Sequence, residues 1–98
     1  MRKVKKSKHN SSNEILEDAL FAVEQQLQSE ETKYVKEYFE KLIETGKSEK
    51  EAKEKIAEAL LKEADYVHAN KTEFSEERYR EYLEESVRQG ETEYMSVR

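Results

Sequence analysis

Apolar residues recur along this chain at intervals of three and four, and four stretches of that pattern predict four helices. In the first, Ile15, Leu16, Ala19, Leu20, Val23 and Leu27 line one face, with Phe21 about 100° outside it. The second carries Tyr34, Val35, Tyr38, Phe39, Leu42 and Ile43. The third, over Ser48 to Val67, is the most apolar. Ala52, Ile56, Leu60, Ala64 and Val67 form its stripe, Ala59 widens it on one side, and Ala57 and Leu61 widen it on the other. The resulting arc is roughly 200°, against about 100° for a helix that meets a core on one face. Only Lys53 and Glu63 interrupt it, and both have stems that can lie along an apolar surface. A helix of this kind needs neighbours on two sides, so the third is expected at the centre. The fourth presents Tyr79, Tyr82, Leu83 and Val87.

The ends of these helices are signalled locally. Ser11 with Glu14 and Ser48 with Glu51 have the spacing of capping boxes. Ser29 followed by Glu30 and Glu31 reads as a fresh start, an N-cap with acids in the first turn. No Gly or Pro marks that break, so two helices and one kinked helix are both consistent with it. Gly46 is the expected left-handed stop of the second helix, Asn70 of the third, and Gly90 the stop of the fourth. Ser75 caps the fourth helix, and Phe74 is placed to pack on Tyr79 as a hydrophobic staple. The expected helices are 13–28, 30–45, 49–69 and 76–89, within a domain of 13–90. A flexible basic arm (1–12) precedes it and a flexible polar tail (91–98) follows it. Short connections favour antiparallel neighbours. The fold class is therefore all-α, a compact antiparallel four-helix bundle-like domain around a buried third helix.

Composition narrows this further. The 98 residues allow one domain, and with 42% charged and 35% apolar residues its core must be lean. The absence of Pro and the presence of only two Gly argue against an all-β fold. The absence of Cys removes disulfide scaffolds and thiolate metal sites. No apolar run approaches the 18 or so residues that span a membrane, and the N-terminus lacks the apolar stretch of a signal peptide, so a cytoplasmic protein is expected. The net charge of −5 is uneven. Arg2, Lys3, Lys5, Lys6 and Lys8 all lie in the arm, which leaves 13 of the 18 basic residues against 23 acidic ones, a balance of −10 for the rest of the chain.

Candidate chemistry is sparse. A carboxylate-bridged bundle site needs a Glu-x-x-His pair on each of two helices and two further Glu. Here Asp65 and His68 are three apart on one helix without a second copy, and His9 lies in the arm, so Asp65 and His68 are read as a surface pair. Ser11, Ser29, Ser48 and Ser75 are explained as caps, and neither Gly-x-Ser-x-Gly nor a Gly-rich phosphate loop occurs. The segment from Val35 to Leu61 has the outline of a DNA-binding helix–turn–helix, but its second helix opens Glu49-Lys50-Glu51-Ala52-Lys53-Glu54-Lys55, where acids offset lysines, and a plain hairpin is favoured. No enzyme activity, cofactor, metal or small-molecule substrate is expected.

The segments VEQQLQSEE (Val23 to Glu31), YFEKLIETGKSEKEAKEKIAEALLKEA (Tyr38 to Ala64) and FSEERYREYLE (Phe74 to Glu84), about two thirds of the chain, resemble a family of short, uncharacterised bacterial all-helical proteins. The resemblance implies the same helical fold and brings no activity with it. It also implies a loss. Several such proteins carry His pairs four apart on the first and third helices, suited to a metal, where this chain has Leu16 and Leu20, and Lys50 and Glu54.

Partner binding remains. Phe21, Tyr34, Tyr38 and Tyr94 exceed the needs of so small a core, and aromatics at the edge of a charged surface are enriched in interfaces. The expected function is a non-enzymatic interaction or structural module. Its expected surface comprises Phe21, Tyr34 and Tyr38, and its partner is another protein or a second copy of itself. The alternative is binding of nucleic acid or an acidic partner through the basic arm.

Overall fold

The computed structural model describes the backbone of residues 11–96 and the side chains of residues 14–91. Four α-helices occupy nearly all of that span: α1 (Ser11–Gln28), α2 (Lys33–Glu44), α3 (Glu49–Asn70) and α4 (Glu76–Ser96). A 3-10 turn, Glu30–Thr32, joins the first two. The two readings left open at this break are thereby decided: α1 and α2 are separate helices. The Ser29 Oγ accepts from the Glu31 N–H (3.2 Å), and the Thr32 hydroxyl donates back to the Gln26 carbonyl (2.8 Å). The chain is thus turned by side-chain hydrogen bonds rather than by Gly or Pro.

The other corners follow the same local logic. At the end of α2, the Gly46 N–H bonds the Ile43 carbonyl (2.9 Å) and the Lys47 N–H bonds the Leu42 carbonyl (3.4 Å). With Gly46 at φ 98°, this is a Schellman stop. Ser48 and Glu51 then form the full capping box, each side chain bonding the other's backbone N–H at 3.1 Å. The left-handed residue that ends α3 is Lys71 (φ 50°, ψ 48°), one position beyond the expected Asn70. Asn70 stays helical and donates its side-chain amide to the Tyr66 carbonyl (3.0 Å). Ser75 caps α4 through the Arg78 N–H (3.2 Å), and Phe74 packs edge-on against Tyr79, ring centres 5.6 Å apart.

Two expected boundaries are corrected. Ser11 already lies within α1. Gly90 does not stop α4, which continues to Ser96, so most of the expected tail is helix. Gly90 is buried, and a Cβ built there would stand 3.0 Å from the Thr45 Oγ1. The glycine is used for close approach to the end of α2, not for a left-handed stop. Residues 1–10 and 97–98, and with them the basic arm, lie outside the described residues.

The core joins all four helices. Its buried apolar residues are Ala19 and Val23 from α1; Tyr34, Val35 and Leu42 from α2; Ala52, Ile56, Ala57 and Ala59 from α3; and Tyr79, Leu83 and Val87 from α4. Helix α3 packs against each of the other three, as its broad apolar arc requires. Helix α2 does so as well, whereas α1 and α4 lie on opposite sides of the α2–α3 pair. Contacts Tyr34–Tyr79, Tyr38–Glu84 and Thr45–Gly90 rise together, so α2 and α4 run parallel, while successive helices run antiparallel. The architecture is an all-α, four-helix bundle-like domain with α3 at its centre.

The arc on α3 is not buried along its whole length. Ala64 is exposed and Val67 only half-buried, because α3 has 22 residues and α2 only 12. At 1.5 Å per residue the last turns of α3 run beyond α2 and meet only α4 and the linker before it. Ile15, expected in the inner stripe of α1, is also exposed.

Candidate functional site

The three aromatic residues expected to form one surface are separated by the fold. Phe21 projects from α1 and is 66% exposed. Tyr34 is 8% exposed and belongs to the core. Its ring meets Tyr79 edge-on at 6.1 Å, and the Arg80 guanidinium covers its outer side at 4.2 Å. Burial, together with the nearby Glu76 carboxylate, pushes its phenol up to about 12. Tyr34 is therefore withdrawn from the expected binding surface. Tyr38 is half-buried and turns toward α4, donating to a Glu84 carboxylate oxygen (2.8 Å), with Lys41 5.1 Å from its ring centre. Burial and that carboxylate raise its phenol too. Only Phe21 is left as an aromatic presented to solvent by α1.

The periodicity of α3 concealed a second group. Glu63, read from sequence as an intrusion whose stem lies along the surface, is fully buried. It accepts from the Ser75 backbone N–H (2.7 Å) and, in a two-pronged pair, from Arg78 Nε and Nη2 (2.9 Å each). Arg78 Nη2 also donates to the Glu73 carbonyl (3.0 Å), and the guanidinium lies 4.0 Å from the Tyr66 ring centre. One carboxylate thus draws together α3, the linker and the first turn of α4. The Arg78 fork, aided by the Ser75 N–H, holds Glu63 below the usual carboxylate range although burial acts in the other direction. The same pairing raises Arg78. The sequence signal was present in the register. Glu63 lies four residues after Ala59 and seven after Ile56, on the core side, and Arg78 sits three residues after the Ser75 cap.

Two further polar links cross between helices. The Tyr79 hydroxyl donates to the Gln26 side-chain oxygen (2.7 Å), which ties α4 to α1 across the core. Lys53, the other interruption of the α3 arc, reaches Glu24 on α1 at 2.7 Å, and that bond raises its ammonium. No buried side-chain nitrogen or oxygen among the described residues lacks a hydrogen-bond partner. These polar groups are fully used in holding helices to one another.

Two clefts are lined by described residues. An open cleft of about 340 Å³ lies between α3 and α4, lined by Lys62, Asp65, Tyr66, Ala69, Asn70 and Tyr82. Another of about 230 Å³ lies at the α1–α2 corner beside Lys33 and Lys36. Asp65 and His68 are both exposed on the last turns of α3. Among the described residues, no three His, Cys, Asp or Glu side chains converge as a metal-binding group. Leu16 and Leu20 are partly buried and pack against the core. No helix among the described residues is long and apolar enough to cross a membrane. The chain matches no family model, no curated protein and no solved structure.

Proposed function

We propose that this protein is a non-enzymatic interaction module, and that the solvent face of α1 around Phe21 engages a second copy of the chain. What supports this is where its large and small side chains lie. The buried set is dominated by Ala and Val, with four alanines and three valines among its twelve apolar members, while Phe21 stands two-thirds exposed. A single exposed apolar residue is ordinary. Here Ile15, 51% exposed, shares the helix. The other large exposed apolar residues, Tyr66 and Phe74, already have an Arg78 and a Tyr79 neighbour. Aromatic anchors of this kind carry much of the energy of interfaces.

The test is light scattering after size exclusion over a range of concentrations. The intact chain is expected to exceed a monomer's mass at high concentration. Phe21→Ala is expected to run as a monomer with an unchanged melting temperature, since Phe21 contributes little to the core. A chain that stays monomeric throughout, with no difference between the two proteins, sinks the reading. A second reading rests on the charge distribution: five cations in the first eight residues of a chain otherwise at −10 suit an anionic partner, nucleic acid included.

A further inference from the structure

We infer that the buried Glu63–Arg78 pair is a register lock, which selects one docking of α4 on α3 over docking displaced by a helical turn. Apart from this pair and Lys62 over the Tyr82 ring (5.8 Å), what α4 and α3 give to the core is apolar, Tyr79, Leu83 and Val87 at intervals of four on α4, and Ala52, Ile56, Ala57 and Ala59 on α3. Apolar contact is non-directional. Sliding α4 by one turn, about 5.4 Å, keeps that apolar face against α3, although it gives up the Tyr79–Gln26, Tyr38–Glu84 and Thr45–Gly90 contacts to α1 and α2. To that loss Glu63 adds the penalty of a stranded charge at the α3–α4 contact itself. Its three hydrogen bonds come from Ser75 and Arg78, so they form only when the first turn of α4 lies opposite Glu63 as it does here.

A displaced α4 leaves a carboxylate with no exposed surface and no partner, the costly state of a buried charge. Paired, the same charges add little over apolar side chains of equal volume. The pair therefore penalises wrong dockings more than it rewards the right one. The left-handed Lys71 and the short linker Lys71–Ser75 do not by themselves fix the register, because an added or lost turn at the start of α4 changes the linker by only a few residues.

The chain has no cysteine, so Glu58→Cys and Glu81→Cys, both on exposed positions of α3 and α4, provide unique sites for a pair of spin labels. The labelled parent is expected to give one narrow distance. Glu63→Leu combined with Arg78→Met is expected to keep its helical signal and to melt no lower than the parent. Its distance distribution should nevertheless split or broaden by about 5 Å, one turn. A single parental distance in the double variant overturns the proposal. So does a double variant that fails to fold or melts well below the parent, since the pair would then supply stability rather than register. Arg78→Met alone, which strands Glu63, is expected to lose amide protection over residues 72–83 and retain it in α1 and α2. Uniform loss across all helices also overturns the proposal.

Discussion

At the scale of single residues, the titratable groups of this protein are governed by where the helices put them. Glu63 is held below its ordinary value of 4.5 by Arg78, so the folded state releases its proton more readily than the unfolded chain. Its contribution is fully present above that ordinary value and is lost as pH falls through the depressed one. Glu63→Gln, which keeps the shape and removes the charge, is expected to lower stability at neutral pH by about 2–3 kcal/mol. In urea titrations, the gap between parent and variant should narrow as pH drops below about 4.5. A gap that is constant with pH rules out the charge as its cause. The phenols behave in the opposite sense. Tyr34 is raised to about 12 and Tyr79 is raised as well, both mainly by burial. The stability they contribute is present below pH 10 and lost as pH rises through their folded values. Of the six tyrosines, these two should ionise last in an ultraviolet titration, together with loss of helical signal. Periodicity placed both Tyr34 and Tyr79 on apolar faces, yet Tyr34 was also counted as surface. The reason is physical: which aromatic is covered depends on the partner helix, and Arg80 and Tyr79 come to Tyr34 from α4, forty-five residues along the chain.

At the scale of elements, most ends that are fixed by neighbouring residues were legible, the stop of α3 being displaced by one residue from Asn70 to Lys71, and the end that depends on a distant contact was not. The Ser48–Glu51 box, the Gly46 stop, the Ser29 and Ser75 caps and the Phe74–Tyr79 staple all lie within six residues, and all are formed. Gly90 was misread because the same residue type serves a stop and a close approach, and only Thr45, far away in sequence, distinguishes them. Two predictions follow from these ends. Gly90→Ala gains about 1 kcal/mol of helix propensity, but its Cβ meets the Thr45 Oγ1 at 3.0 Å. Alone it should be close to neutral. In a Thr45→Ala background it should stabilise by nearly the full propensity gain, a coupling read from a double-mutant cycle in urea. Equal effects in both backgrounds would show that Thr45 imposes no constraint. Lys71, the one non-glycine residue at positive φ among the described residues, should respond to the permissive backbone of glycine. Lys71→Gly is expected to raise stability by about 0.5–1 kcal/mol, and Lys71→Val to lower it, as measured by thermal melting.

At the scale of the whole molecule, the central position of α3 was legible from its apolar arc, which is too broad for a neighbour on one side alone, whereas nothing in the sequence of α2 signalled that it too would meet all three other helices. The parallel pairing of α2 with α4 was not. Short loops dictate that successive helices reverse, but they leave open which non-successive helices meet. Charge is the other property of the whole. The described helices hold most of the acidic residues, and the arm holds five cations. Deleting residues 2–8 changes the net charge from −5 to −10, so that segment is where attraction to a polyanion is expected to concentrate. If the arm meets phosphates, binding of the intact chain to duplex DNA or to RNA should weaken steeply with salt. Five cations allow a slope of log K against log salt no steeper than about −4.5 on a duplex. Repulsion by the acidic helices should reduce affinity without steepening that slope beyond the arm's own count. Removal of residues 2–8 is expected to abolish the binding, and Phe21→Ala to leave it intact, because the two changes lie in separate parts of the chain. The converse pattern, with self-association abolished by Phe21→Ala and unaffected by the deletion, is expected if α1 carries the function. An intact chain that binds neither nucleic acid at about 50 mM salt, where such contacts are strong, eliminates the arm reading and leaves α1 as the surface to pursue.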